Sequence, residues 1–361
     1  MGAINLLGAT WPGGLWATLI KLFYSFITNY AWAIIVFTVC LKLLLSPIDF
    51  LQKRSTAKTQ KANALIQPEM DKLQKRYANN PQMMKQKQAE LYKKNGINMG
   101  GTCFVMLLYM VSTLVIFMTL FNSLGTISRF KITDQYEQLR TTYYNSVSIN
   151  TENKNYIQLA EELNGVSADK KAVAEQAVVD KYQEIKDTWL WVKNIWISDS
   201  VANRIPDFEA YLNASGTTFE VEKDSGITVD ELRSAAKVEY NAVMNTLLKE
   251  HNGVNGYYIL SVLAVLISAL TQFFNAKMMQ PKSKNPYEPK QKQKTNWFMM
   301  ILLPAIMLVF TLTSSAAFSV YIITSSLIST LLMPLIMFIS NKMDAKAEEK
   351  KKAAIKVDYR R

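Results

Sequence analysis

Residues 31–45 read AWAIIVFTVCLKLLL, an apolar run that carries one charged residue, Lys42. With its flanks, the run approaches the ~20 residues that a helix needs to cross the hydrocarbon core of a bilayer. Further apolar blocks of comparable length lie at residues 99–120, 257–274, 297–312 and 316–339. The sequence therefore predicts an all-α polytopic membrane protein with five transmembrane helices.

The net charge of +12 is unevenly distributed along the chain. Residues 47–98 hold 11 Lys/Arg against 4 Asp/Glu, residues 276–296 hold 6 against 1, and the tail after Ser340 holds 8 against 4. Residues 122–256 reverse this balance, with 14 basic and 20 acidic residues. Because basic loops are retained on the cytoplasmic side, we expect the N-terminus to lie outside and the C-terminus in the cytoplasm.

These patterns divide the chain into ten segments: an outer interfacial amphipathic helix (1–30), the first transmembrane helix (31–48), a basic cytoplasmic helical hairpin (49–98), the second transmembrane helix (99–121), a soluble extracytoplasmic insertion (122–255), the third transmembrane helix (256–276), a cytoplasmic loop (277–296), the fourth and fifth transmembrane helices (297–313 and 316–340), and a basic cytoplasmic tail (341–361).

The insertion has helical patterns at residues 170–185 and 229–250, and residues 217–221 favour a short strand, but its overall fold does not follow from the sequence. Its aromatic stretch, TWLWVKNIWIS at residues 188–198, has two interpretations. It either packs on the outer membrane face or forms an ordinary core segment of the insertion.

The sequence lacks the residue patterns of common catalytic sites. Its single histidine, His251, has no neighbouring Cys or His with which to share a metal ion. It contains no phosphate-binding loop, dinucleotide fingerprint or nucleophile elbow. We therefore expect no enzymatic activity, no cofactor and no metal site.

Polar side chains are concentrated on several of the predicted spans. On physical grounds the ammonium group of Lys42 either reaches the nearby membrane surface or lies in a hydrated cavity within the membrane. Ser and Thr are weaker signals, because they bond to their own helix or pack between helices. The polar residues that we retain as candidates are Lys42 on the first span, Tyr109, Ser112 and Thr113 on the second, Gln272 and Asn275 on the third, and Tyr321, Thr324 and Ser325 on the fifth.

Three phrases follow one another along the chain: LYKKNGINMGGTCF (91–104), LWVKNIWISDS (190–200), and Leu303-Pro304 followed by SAAFSVY (315–321). They are similar to the "LYK…N…GGCF", "FLW…L…PD" and "MP…PAGLxLYW" phrases of the YidC-type membrane protein insertases. These insertases are the bacterial branch of the YidC/Oxa/Alb family, which also serves mitochondria and chloroplasts. The resemblance covers about residues 31–121, 186–200 and 256–340, and its specificity comes from the order of the phrases.

The chain departs from the family pattern at several positions. Lys42 stands at the position of the family's arginine, Asn275 at that of its glutamine, and Ile322 at that of its tryptophan. Val105 and Val111 replace two prolines, and the insertion is much longer than the family's usual outer loop there.

The resemblance implies five spans around a hydrophilic groove that is open to the cytoplasm and to lipid, in a bacterial plasma membrane. The candidate polar residues would line this groove and contact a nascent membrane protein as it enters the bilayer. The expected partners are nascent membrane proteins, membrane lipids and the ribosome, and the resemblance leaves open whether the Sec translocon takes part. The residues expected to contact the ribosome are Lys350, Lys351, Lys352, Lys356, Arg360 and Arg361.

Two alternatives from other functional classes are consistent with the residues. A small-solute transporter or channel would also place polar side chains on membrane helices, although we find no repeated halves and no paired charge for Lys42. An envelope-anchored binding protein would instead work through residues 122–256.

Overall fold

The computed structural model describes residues 4–5, 10–95, 99–199, 203–221, 226–279 and 297–358 of the chain. These residues form eleven α-helices and one antiparallel pair of two-residue strands, which confirms the predicted all-α class. The helices are α1 (Leu15–Phe26), α2 (Tyr30–Arg76), α3 (Pro81–Lys94), α4 (Met99–Val147), α5 (Tyr156–Asn164), α6 (Ala168–Ile185), α7 (Phe208–Ser215), α8 (Val229–Glu250), α9 (Ile259–Met279), α10 (Trp297–Thr313) and α11 (Ala316–Asp358). The strands are β1 (Ile4–Asn5) and β2 (Thr218–Phe219).

The chain forms two compact units. We call the first the insertion unit; it comprises Met1–Phe37, Thr119–Val265 and Ala305–Ile322. We call the second the hairpin unit; it comprises Thr38–Met118, Leu266–Pro304 and Ile323–Arg361.

Four helical stretches are long and apolar enough to cross a membrane: Tyr30–Ala64, Met106–Val147, Ile259–Met279 and Ala316–Ala347. They correspond to the first, second, third and fifth predicted spans. Helix α10, at the fourth predicted span, has 17 residues, which is at the lower end of the length range of transmembrane helices, and it is not among these four stretches. The protein is therefore a multi-pass membrane protein, and the count of five spans stays a prediction. Most of the predicted loop 277–296, from residue 280 onward, lies outside the described residues.

Helix α2 continues without a break from the first span through Pro47 and Pro68. A proline inside a helix has no N–H to donate, so the carbonyl four residues earlier loses its usual partner. At Pro47 that carbonyl belongs to Leu43, and the hydroxyl of Ser46 donates to it at 2.8 Å. This bond gives the freed carbonyl a new partner inside the helix.

The predicted helical hairpin is formed by the distal part of α2 and by α3. The turn between them ends at Asn80, whose side chain accepts a hydrogen bond from the Met83 N–H at 3.1 Å and caps α3. Pro81 follows in the first turn of α3, where its missing N–H has no helical partner to lose. Apolar side chains pack the two arms of the hairpin against each other. Ile66, Met70 and Leu91 are buried, and Leu73 and Tyr92 pack on them.

The insertion is helical, and its core begins in α4, which continues past the predicted span boundary at residue 121 to Val147. Tyr136 of α4, Tyr211 of α7 and Tyr240 of α8 form a buried trio with ring centroids 4.9 to 5.0 Å apart. Helix α8 also packs against α5 and α6. The predicted strand at residues 217–221 is present as β2, and it pairs with β1 near the N-terminus.

A buried ion pair joins α4 to α8 in this core. Glu239 is fully buried and accepts hydrogen bonds from Arg140 Nε at 2.6 Å and from the Tyr144 hydroxyl at 2.8 Å. Burial raises the pKa of Glu239, and the nearby Arg140 opposes this rise. Removing one partner would leave an uncompensated buried charge, which typically destabilises a protein by about 3–5 kcal/mol.

Residues 187–199 pack across the starts of the apolar helices within the insertion unit. Asp187 accepts hydrogen bonds from the Tyr30 N–H at 3.3 Å, where α2 begins, and from the Tyr24 hydroxyl at 3.3 Å. Trp196 is buried with its ring centroid 4.2 Å from that of Tyr30. Burial raises the pKa of Asp187 from the usual 3.8 to about 6, although these hydrogen bonds and the charge of Lys131 oppose the rise.

The same segment holds the start of α9. Asn255 is fully buried, and its side chain accepts from the Asn194 N–H at 2.6 Å and donates to the Ser198 carbonyl at 3.2 Å. Asp199, also fully buried, accepts a hydrogen bond from the Ser261 N–H at 3.0 Å, in the first turn of α9. A carboxylate distant in sequence therefore caps this helix.

Candidate functional site

Lys42 lies on α2 within the hairpin unit, among apolar residues. Its side chain is half-buried, while the neighbouring Leu43 and Leu44 are 53% and 76% exposed on the helix surface. Lys42 makes no hydrogen bond or ion pair with any described residue. Its positive charge is therefore not neutralised by contact with another side chain in the part of the chain that the structure describes.

Asp49 is a buried carboxylate that the sequence analysis did not select. It accepts a hydrogen bond at 3.0 Å from the hydroxyl of Tyr109 on α4, and this bond joins two of the candidate spans. Seven residues correspond to two helical turns, so Asp49 lies on the same face of α2 as Lys42, about 10 Å further along the axis. The signal in the sequence was this two-turn spacing of opposite charges on one apolar helix.

The two other candidates on α4, Ser112 and Thr113, differ in whether their hydroxyl groups are available to bond with another molecule. Thr113 donates its hydroxyl to the carbonyl of Tyr109 at 2.7 Å, so this donor is used inside its own helix. Ser112 is half-buried on the adjacent face. Of these two hydroxyls, Ser112 is the better placed to exchange hydrogen bonds with another molecule.

Polar groups also join α9 to α11 in the hairpin unit. The Thr271 hydroxyl lies 2.8 Å from the Thr330 hydroxyl and 3.2 Å from the Ser326 carbonyl. One turn beyond Thr271, Asn275 is half-buried, and its side-chain carbonyl oxygen is shielded from solvent with no partner among the described residues. A shielded oxygen that lacks a donor costs about 1–3 kcal/mol, so Asn275 is a candidate to accept a hydrogen bond from a ligand.

Eight of the nine candidate groove residues belong to the hairpin unit. Gln272 and Ser325 are half-buried there, and Thr324 is buried. The ninth, Tyr321, belongs to the insertion unit, where it is buried with its ring centroid 6.2 Å from that of Phe318.

The extensions of α2 and α11 are joined by an ionic cluster in the hairpin unit. Arg54 pairs with Asp344 at 2.9 Å, and the two side chains are 20% and 24% exposed. Lys58 lies 3.7 Å from the same carboxylate, and Lys61 donates to Asn341 at 3.4 Å. The beginning of the predicted tail therefore contacts the first arm of the hairpin.

The predicted ribosome-contacting residues lie further along the tail. Helix α11 continues to Asp358, so the backbone of Lys350, Lys351, Lys352 and Lys356 is helical, but their side chains lie outside the described part of the structure. Arg360 and Arg361 lie wholly outside the described residues.

The fold and these polar residues define a polytopic α-helical membrane protein with a helical hairpin, a helical insertion and polar side chains set into its spans. Residues 22–347 match the family described as "60Kd inner membrane protein". The match covers most of the chain, so the protein belongs to this family, the YidC/Oxa/Alb family that the sequence resembled.

Individual relatives share the name "Membrane protein insertase YidC". The chain is 37% identical over 120 residues to the protein of this name from Leptospira interrogans. The aligned residues are 32% of this chain and 18% of the relative. It is 42% identical over 92 residues to that of Clostridium tetani, 24% of this chain and 40% of the relative. It is 40% identical over 82 residues to that of Clostridium perfringens, 23% of this chain and 33% of the relative. The matched part thus spans well under two thirds of each relative.

Proposed function

We propose that the protein is a membrane protein insertase and chaperone, which helps hydrophobic segments of newly made proteins to enter the plasma membrane. The observation that carries the proposal is the family match over residues 22–347, which runs through all the predicted spans. The half-buried Lys42, without an ion-pair partner among the described residues, supports a polar site within those spans. The relatives' shared name agrees with this activity.

The proposed mechanism addresses the cost of moving a polar segment through a bilayer. The hydrocarbon core is ~30 Å thick and offers no hydrogen-bond partners to a crossing tail. A hydrated groove that is open to the cytoplasm and to lipid shortens this barrier. When the substrate's apolar segment then enters lipid along the open side, the hydrophobic effect drives the step. No nucleotide hydrolysis is needed, and we propose no chemical step.

We assign Lys42 the role of an electrostatic docking point for acidic residues of the crossing tail. At an effective dielectric constant near 20, two unit charges about 4 Å apart attract by about 4 kcal/mol. Ser112, Gln272 and Asn275 would offer exchangeable hydrogen bonds to the same tail. The hairpin of α2 and α3 would receive the substrate before it enters the groove.

The partners of this activity are nascent membrane proteins, membrane lipids and the ribosome, and the Sec translocon is a further candidate. The ribosome would be bound by the basic residues of the tail, because clustered Lys and Arg attract the phosphates of RNA. The uneven charge of the loops supports a cytoplasmic hairpin and tail and an extracytoplasmic insertion in a bacterial plasma membrane.

Photocrosslinking from defined positions on α4 tests the groove. A photoreactive phenylalanine derivative at Ser112 should crosslink to the polar tail of a ribosome-bound, stalled single-span protein. The matched control is Leu114, which is 52% exposed and, two residues away, points to the opposite side of the same helix. Equal crosslinking of the tail from both positions, or from neither, would contradict a groove lined by Ser112.

A further inference from the structure

The insertion carries a tight turn with an apolar tip. Trp189 and Val192 exchange backbone hydrogen bonds of 3.0 and 2.9 Å, so Leu190 and Trp191 form a two-residue hairpin turn. We call residues 189–192 the aromatic turn. Leu190, at its tip, is 63% exposed.

The backbone of Leu190 is in an unfavourable conformation for a leucine. Its φ is +52°, in the left-handed region that two-residue hairpin turns fill preferentially with Gly, Asn or Asp. A large apolar residue here has both backbone strain and contact with water in the isolated protein. Backbone strain of this kind is held by the surrounding structure and concentrates at functional sites, so Leu190 is a candidate for contact with another molecule.

The aromatic turn is held at the start of two membrane helices. The Thr188 carbonyl accepts a hydrogen bond from Asn29 at 2.9 Å, next to the first residue of α2. The Lys193 N–H, on the other side of the turn, donates to the Asn255 carbonyl at 3.1 Å, a few residues before α9. The turn therefore has a fixed height relative to the starts of both helices.

Other exposed aromatic residues occupy the same level. Trp32, in the first turn of α2, is 52% exposed, and its ring packs edge-on against Trp189 with centroids 6.2 Å apart. Tyr257 and Tyr258, directly before α9, are 66% and 51% exposed. Trp and Tyr at the ends of membrane helices favour the headgroup layer of a bilayer.

Two exposed lysines, Lys186 and Lys193, flank the aromatic turn in the sequence. A surface that combines an apolar tip, aromatic rings and flanking basic residues fits the boundary between phospholipid headgroups and acyl chains. A protein partner would not explain why the aromatic residues follow the starts of two spans.

We propose that the aromatic turn is a membrane-interface anchor, in which Leu190 inserts into the bilayer leaflet at the starts of α2 and α9. The ligand is the phospholipid surface itself. Insertion gives the exposed part of the Leu190 side chain an apolar surrounding, and it fixes the height of the extracytoplasmic insertion above the bilayer. This inference needs only the membrane-spanning helices and is independent of insertase activity.

The test is spin labelling of single cysteines in full-length protein, in liposomes of phosphatidylethanolamine and phosphatidylglycerol. Cys40 and Cys103 are first replaced by serine, and a cysteine is then introduced by Leu190→Cys. The matched control is Val173→Cys on α6, because Val173 is 66% exposed and equally apolar. Collisions with oxygen, which concentrates in lipid, are compared with collisions with a water-soluble nickel chelate.

The label at position 190 should collide more with oxygen than with the nickel chelate, and the label at position 173 should show the reverse. A nickel accessibility at 190 as high as that at 173 would overturn the anchor. Shielding of position 190 from both reagents would also overturn it, because a protein partner or a second copy would then cover the turn.

Discussion

At the scale of single residues, Lys42 is the position on which the mechanism depends most. Its half-buried side chain has no ion-pair partner among the described residues. The resemblance in the sequence places it at the position of the family's arginine. Lys42→Arg should therefore retain activity, because it keeps the charge. Lys42→Glu should slow the insertion of substrates with acidic tails by tenfold or more, since each ~1.4 kcal/mol of barrier changes a rate about tenfold. The measurement is the insertion rate in proteoliposomes.

The charge of the substrate provides the control for Lys42. Substrates with basic tails should partly restore insertion by the Lys42→Glu protein, because the carboxylate at position 42 then attracts the positive charges of the tail. If all Lys42 variants, including Lys42→Gln, inserted acidic and basic tails at equal rates, Lys42 would be a snorkelling residue and the electrostatic role would be wrong.

The hydrogen bond between Tyr109 and Asp49 gives a second prediction at this scale. Tyr109→Phe removes the donor and leaves the buried carboxylate without it, which should lower the free energy of unfolding by about 1–3 kcal/mol. Thr126→Val is the matched control on the same helix, because the Thr126 hydroxyl donates to the Ser123 carbonyl of its own helix at 2.9 Å. Thermal unfolding of the purified variants measures the difference, and equal loss in both would mean that the Asp49 contact contributes little.

At the scale of elements, Asp187 couples the start of α2 to protonation. A carboxyl whose pKa is raised in the folded state, here to about 6, contributes stability that is fully present below its unfolded pKa. This contribution is lost as the pH rises through about 6. The melting temperature should therefore rise as the pH falls from about 7 to about 5, and Asp187→Asn should remove most of this change.

The control for Asp187 is Asp180→Asn, which neutralises an exposed carboxylate on the neighbouring helix α6. This variant should keep the pH dependence of the wild-type protein. Parallel pH profiles of the wild-type and Asp187→Asn proteins would show that protonation of Asp187 does not stabilise the fold.

The end of α11 is the second element with a separable role. A deletion of residues 346–361 removes the six basic residues that are predicted to contact the ribosome but keeps Asp344 and its ion pair with Arg54. We expect weaker co-sedimentation with ribosomes and a flatter dependence of binding on salt, because fewer phosphates are neutralised. Insertion of small substrates after their synthesis should change less. Unchanged ribosome binding would assign the contact to other parts of the chain.

The elements also show what the sequence could predict. The helix expected at residues 229–250 is present with those bounds as α8, because Thr228 and Glu231 form a capping box that marks its start. The continuity of α2 through Pro47 was not predictable from periodicity, since it depends on the Ser46 hydroxyl as a substitute donor. The extension of α4 into the insertion was missed because the apolar run ends near residue 121, whereas the helical backbone continues to Val147.

The candidate site was predictable in part. Residue type and position along the apolar runs selected Lys42 and Tyr109 as candidates, and their role stays a prediction. Asp49 was not selected, because its burial depends on α4 supplying the Tyr109 hydroxyl. Contacts between distant segments, such as the capping of α9 by Asp199, have no signal in local periodicity.

At the scale of the whole molecule, the central proposal is that this protein helps a polar tail to cross a bilayer. The most direct measurement uses liposomes that contain only the purified protein and a newly synthesised single-span substrate with a short acidic tail. Protease added outside should digest the tail in empty liposomes and spare it when the wild-type protein is present, and the Lys42→Glu protein should protect much less. A tail that stays equally accessible with and without the protein would contradict the account, and solute leakage without tail protection would identify a channel or transporter instead.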